Sequence, residues 1–226
     1  MIWLVATLVC FYVARYISGK IKNPLLNPLL ITLIVLIALI KWLQVPYEVY
    51  FADNKIINFL LGPAVVALAL PLYQQLAHIR SKWKTIMTAC FVGSVLSMTF
   101  GTAIAFWMGA DAQLAASILP KSITTPLAMA ASQQIGGIPS ITAAMVILVG
   151  IFGAVLGYPI MKLLKIEHPL AKGLSMGTVS HALGTAKAAE EDYQEGAFSS
   201  LALVICGIMT TILAPILFPI LVHLFS

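Results

Sequence analysis

Leu119-Pro120-Lys121-Ser122-Ile123-Thr124-Thr125-Pro126 stands between two apolar runs, 85–108 and 138–161, each long enough to cross a hydrocarbon core of about 30 Å as a helix. Two prolines six residues apart remove backbone donors and forbid one continuous helix through the octapeptide. The chain must open there, and an opened backbone inside a bilayer persists only where protein or water satisfies it. A second stretch of the same character holds Gly177-Thr178-Val179-Ser180-His181-Ala182-Leu183-Gly184-Thr185. The two polar segments, 115–137 and 173–192, therefore set the fold, because they are marginal as lipid-facing helices while almost everything around them is apolar.

The surroundings follow from composition. Of 226 residues, 61% are hydrophobic and 9% charged, and the mean hydropathy is +1.00, where a soluble domain carries about a quarter of its residues as charges. That excludes a soluble enzyme, a secreted disulfide module and a nucleic-acid binder. Apolar runs at 2–17, 25–43, 56–77, 85–108, 138–161 and 197–224 predict six transmembrane helices. With the two broken or re-entrant polar segments they define an all-α, polytopic membrane protein. The first run lacks a basic leader and a small-residue cleavage site and is expected to stay as a span, short at about 24 Å. One domain is expected over 1–226, with 1–111 mainly scaffold and 112–226 carrying the site. Cys10, Cys90 and Cys206 lie inside apolar runs without metal-ligand spacing and are assigned to packing. No cofactor or metal site is expected.

Basic residues mark the topology. Arg15, Lys20 and Lys22 follow the first run, Arg80, Lys82 and Lys84 the third, and Lys162, Lys165 and Lys172 follow 138–161. Cytoplasmic placement of all three clusters puts the N-terminus outside, and it requires segment 115–137 to dip in and return instead of crossing. A weak repeat at an offset of 58 pairs Ser117 with Ser175, Ser122 with Ser180 and Ala128 with Ala186. One intervening span would make the copies inverted, an arrangement secondary transporters use to build a midplane site.

Lys121 offers a cation, and Ser122, Thr124 and Thr125 offer hydroxyls beside the start of a half-helix, a set suited to a small carboxylate. Alternatively, Lys121 snorkels to the outer surface and the hydroxyls bond carbonyls one turn back. Pro120, Pro126, Gly177 and Gly184 are expected as helix breaks, and Gly62-Pro63 as a further break or packing kink. His181 is the histidine away from basic loops and the C-terminus, able to bind an anion and take up a proton near neutral pH, or else to bridge two helices while neutral. Ser180, Gly184 and Thr185 join it as substrate-binding candidates, and Lys187 and Glu190 join it as proton-coupling candidates. Glu190, Glu191, Asp192 and Glu195 read most simply as a solvated turn. Sequence neighbours such as Lys121-Ser122 and Ser180-His181 diverge by roughly 100° on a helix, so neither makes a local nucleophile–base pair, and no enzyme is expected. No phosphate-loop or dinucleotide fingerprint is present.

Leu119–Pro126, Gly136-Gly137-Ile138-Pro139, Ser180-His181-Ala182-Leu183-Gly184-Thr185 and Asp192-Tyr193-Gln194-Glu195-Gly196 together resemble the bacterial LrgB/CidB family, most of all its YohK-type members. The likeness runs from about Asn23 to Pro219 and includes Pro63-Ala64-Val65-Val66-Ala67 and Pro71-Leu72-Tyr73. It implies one of two activities. One is carriage of small monocarboxylates such as glycolate, glycerate, lactate or pyruvate, as in the plant plastid glycolate/glycerate translocator, whose chain is similar to an LrgA-like and an LrgB-like part joined. The other is holin/antiholin-like regulation of murein hydrolase activity. It also implies the bacterial inner membrane, a separately encoded LrgA/CidA-like partner and, with the scaffold spans, a homodimer.

Overall fold

The computed structural model describes residues 1–20, 28–57, 59, 60, 63, 73 and 76–225, and among these the chain is helical without strands. It divides into two compact units, Met1–Val66 and Ala67–Ser226.

In the first unit α1 (Ile2–Lys20) packs on α2 (Pro28–Trp42), and the short α3 (Tyr47–Asp53) ties back to the start of α1. The Trp3 N–H donates to Asp53 Oδ2 at 3.1 Å, the Thr7 and Tyr50 hydroxyls share a bond of 3.1 Å, and the Trp3 and Tyr50 rings meet edge to face. The run 25–43 yields a helix of 15 residues, about 22 Å long and short for a bilayer core. The expected span 56–77, including Gly62, falls largely outside the described residues; Pro63 is exposed.

The second unit contains α4 (Leu76–Trp107), α5 (Ala112–Ile118), α6 (Thr125–Gln134), α7 (Pro139–Leu163), α8 (Pro169–Val179), α9 (His181–Glu191) and α10 (Tyr193–Phe225). Among the described residues four helices are long and apolar enough to span: α1, the Lys82–Trp107 part of α4, α7 and α10. Lys82 kinks α4 where the basic cluster meets the apolar run. Outward stripes such as Leu148, Phe152, Leu156 on α7 and Ile208, Ile212, Ile216, Ile220 on α10 recur every four residues and stay exposed. Such stripes suit lipid, not water.

Both polar segments are hairpins. α5 begins at Asp111, whose carboxylate caps the Leu114 N–H, and ends where Pro120 follows. α6 begins at Thr125 with Pro126 in its first turn, where a missing N–H costs nothing. The chain then returns to its start. The Ile138 N–H donates to Ser117 Oγ at 2.7 Å, and Gly137 lies so close to Ala116 and Ser117 that a Cβ there would collide with their backbone. In the second hairpin α8 and α9 run back along each other beside α10. Lys172 and Gly173 near the start of α8, and Ala189 near the end of α9, meet α10 at Glu195–Gly196; one turn deeper, Gly177 and Thr185 both meet Ser199.

The hairpins enter from opposite ends of α4, α7 and α10. On α4, the second hairpin packs from Ile86 to Gly93, and the first takes over at Ser97 and Met98. On α10, the second hairpin reaches Cys206, while Leu127 of the first rests on Gly207. On α7 the order is reversed: Ser132 bonds Thr142 near its start, and Met176 packs on Gly157 and Met161 toward its end. Each changeover falls near the middle of its helix, so the two tips meet halfway through the bundle.

Candidate functional site

Val146, near the centre of α7, marks the junction. Its side chain packs on Ile123 and Ala128 of the first hairpin, and its carbonyl accepts from the His181 Nε2–H of the second at 2.6 Å. The tips thus share one residue.

The first tip, 119–124, is almost wholly buried. The Lys121 ammonium donates to the Ser97 carbonyl at 2.9 Å and lies 3.3 Å from Ser97 Oγ, which shares a bond of 2.7 Å with Ser122 Oγ. Gly101, one turn along α4, leaves the room: a Cβ there would overlap the end of the Lys121 side chain. Snorkelling is therefore not observed. Ser97 is ten residues, about 15 Å, from the α4 end at Trp107. No carboxylate among the described residues pairs with Lys121, although a lysine ammonium has three donors to place. Thr124 caps α6 without a side-chain bond, and its buried Oγ1 has no partner, as is also true of Thr102 Oγ1 on α4. Thr125 is half-buried beside it. A cation, an unpartnered hydroxyl and a shared Ser–Ser pair thus fall within one buried turn, groups of the kind that can donate to an oxyanion.

At the second tip the break is at Ser180-His181, not at the glycines. Gly177 and Gly184 lie inside α8 and α9, which corrects the expectation that they interrupt the helix. They permit close approach instead: a Cβ on Gly177 would strike the Ser199 carbonyl, and one on Gly184 the Ser180 side chain. His181 opens α9 with φ of +42°, a left-handed conformation that costs a non-glycine residue about 1–3 kcal/mol. The bond to Val146 and the notch at Gly150, where a Cβ would overlap the imidazole, hold it there. Ser180 fits a matching notch at Gly153, and the Thr185 hydroxyl donates to the His181 carbonyl and meets Ser199 Oγ at 2.9 Å.

The offset-58 pairing places Ser122 on Ser180, one at each tip. The tips touch different helices, however. Lys121 turns to α4 and His181 to α7, and no hydrogen bond joins the two side chains among the described residues. Lys187 lies six residues past His181 and pairs with Glu191 at 2.6 Å and Glu190 at 3.6 Å; these carboxylates hold its ammonium above the usual lysine pKa, so it keeps its proton at neutral pH.

Glu190, Glu191 and Asp192 are exposed as expected of a solvated turn, but Glu195 is not. It is 4% exposed, accepts from Tyr158 OH at 2.5 Å and pairs with Lys172 at 3.1 Å, which clamps α7, α8 and α10 at the base of the second hairpin. A carboxylate and two donors on three separate helices gave no local signal. The small residues that receive the tips were also missed: Gly93, Ser97 and Gly101 on α4, and Gly150, Gly153 and Gly157 on α7. Their spacing within apolar spans was legible as a close-packing face.

A cleft of about 440 Å³ lies between α4 and α8, lined from Thr85 and His168 along to Gly93 and Thr178. Neither Lys121 nor His181 lines it.

Fold and site together define a polytopic helical membrane protein whose polar chemistry sits where two opposed re-entrant hairpins meet. The chain belongs to the LrgB-like family, which matches residues 7–220. It is similar to an uncharacterised protein of Haemophilus influenzae, 45% identical over 184 residues, covering 81% of this chain and 80% of the relative. It is also similar to the antiholin-like protein LrgB of Bacillus mycoides and of Bacillus cereus, each 37% identical over 183 residues, with the same coverage of 81% and 80%. No solved structure matches.

Proposed function

We propose that this protein is a secondary carrier of small monocarboxylates, working by alternating access at the junction of the two hairpins. One observation carries the reading: Lys121 is held at mid-helix on α4 without a carboxylate partner among the described residues, at the place where hairpins from opposite ends meet. An unpaired cation at that depth is costly, and a mobile anion relieves the cost. In this reading Lys121 meets the carboxylate, and Ser122, Thr124 and Thr125 meet the hydroxyl or keto oxygen. Ser180, His181, Gly184 and Thr185 form the opposing wall, and His181 carries any coupled proton. The end bearing Lys82, Lys84, Lys162 and Lys165 faces the cytoplasm by charge asymmetry, in a bacterial inner membrane. No covalent chemistry is assigned, since the Lys121 ammonium is presented as a donor to a carbonyl.

The names of the relatives favour a second reading and back it better than they back a carrier: an antiholin-like regulator, to which the family resemblance adds a small LrgA-like membrane protein as partner. Nothing in those names points to a carboxylate. Proteoliposomes holding the purified protein separate the two. Saturable uptake of labelled glycolate, glycerate, lactate or pyruvate, mutually competitive and without release of a trapped dye, supports the carrier. Dye release, or no selective flux with and without an LrgA-like partner, leaves the antiholin-like reading.

A further inference from the structure

The cleft and the Lys121 site lie on one row of α4. Thr85, Ala89 and Gly93 line the cleft at intervals of four residues, and the next two positions of that row are Ser97, which holds Lys121, and Gly101, over which its side chain lies. Residues four apart stack on one face of a helix. The opposite wall is α8, where Leu170, Ala171, Leu174 and Val179 line the cleft together with Ser175 and Thr178, and His168 stands at the end nearest Thr85. Exposed charges of both signs flank that end in the chain, Lys84 next to Thr85 and Glu167 next to His168. At the inner end Thr178 is buried, and its methyl lies where a Cβ on Gly93 would collide, at 2.6 Å. Its hydroxyl accepts from the Cys206 thiol at 3.4 Å, which turns the methyl toward α4. Beyond that contact come Ser97 and Lys121.

We infer that this cleft is the vestibule by which a small anion reaches Lys121 from the Lys84 end of the bundle, and that Thr178 against Gly93 is its inner constriction. The inference rests on Lys121 as the carboxylate site but makes a separate claim, about access. Closure by a single methyl on a glycine requires only a small displacement of α8, and a gate of that size passes short acids before bulky ones.

Cysteine accessibility in oriented membrane vesicles tests it. In a Cys10→Ser background, with Cys90 and Cys206 buried, Ala89→Cys and Ser175→Cys occupy exposed positions on two different helices, so a folding failure in one does not remove the test. Both are expected to react with the anionic, membrane-impermeant sulfonatoethyl methanethiosulfonate from the Lys84 side and not from the other. Ser97→Cys is expected to react slowly from the Lys84 side. Adding Thr178→Ser, which keeps the hydroxyl and removes the methyl, should speed that reaction about tenfold, equivalent to roughly 1.4 kcal/mol in the barrier. Labelling from both faces, labelling only by a lipophilic maleimide as expected of a groove filled by acyl chains, or a Ser97→Cys rate unmoved by Thr178→Ser would overturn the inference. If glycolate, lactate and pyruvate all fail to slow Ser97→Cys labelling while the pattern holds, the vestibule stands and the carboxylate reading falls.

Discussion

At the scale of single residues, the second tip is stabilised by removing atoms from its neighbour. His181 keeps its left-handed backbone because Gly150 has no Cβ and Val146 offers a carbonyl. Gly150→Ala therefore forces a buried, hydrogen-bonded imidazole to shift and is expected to cost about 1–3 kcal/mol, read as a lower thermal midpoint in detergent. Lys121→Ala behaves differently. It removes a cation held by a single serine and is expected to abolish acid uptake while leaving the thermal midpoint nearly unchanged, because no carboxylate among the described residues is stranded. A large loss of stability in that variant would instead make Lys121 a structural residue.

At the scale of elements, each hairpin is closed at its base by polar groups and opened at its tip by chain geometry. Ser117 closes the first by accepting from Ile138 while donating to the Gln113 carbonyl. Ser117→Ala leaves the Ile138 N–H unpaired and should cost about 1–3 kcal/mol, visible as faster amide exchange confined to α5, α6 and the start of α7. Glu195 closes the second. Its replacement by Ala strands Lys172 and Tyr158, with an expected loss of about 3–5 kcal/mol. A Glu195→Leu/Lys172→Met pair should recover most of that loss, since the stranded charge goes with its partner. The first break was legible because proline enforces it. The second was legible only as a region: its glycines drew attention, but they serve packing, and the turn itself falls on Ser180 and His181, which have no strong local preference for it.

For the whole molecule, opposed hairpins predict opposite faces for their bases. Single cysteines at Asp111 and at Glu190 should be labelled by an impermeant maleimide from opposite sides of the membrane, with Glu190 on the side of Lys84 and Lys162. Labelling of both from one side would refute the inverted arrangement. The sequence anticipated it through charge: the basic clusters at 80–84 and 162–172 share a side only if 115–137 returns, and Lys82, Lys84, Lys162 and Lys165 do lie at one end of the second unit.

What the sequence determined by itself is whatever depends on solvent and on local backbone chemistry. Apolar runs long enough for a bilayer, prolines that open a helix, and scarce charges in polar segments all act over a few residues, and they yielded the membrane class, the first break and the candidacies of Lys121 and His181. Only the tertiary structure decided which surface each tip meets. The Ser97 carbonyl, the notches at Gly101 and Gly150, and the burial of Glu195 depend on contacts 20 to 37 residues apart in the chain. Such contacts form because small residues let helices approach closely, a preference that names no partner until the helices are packed.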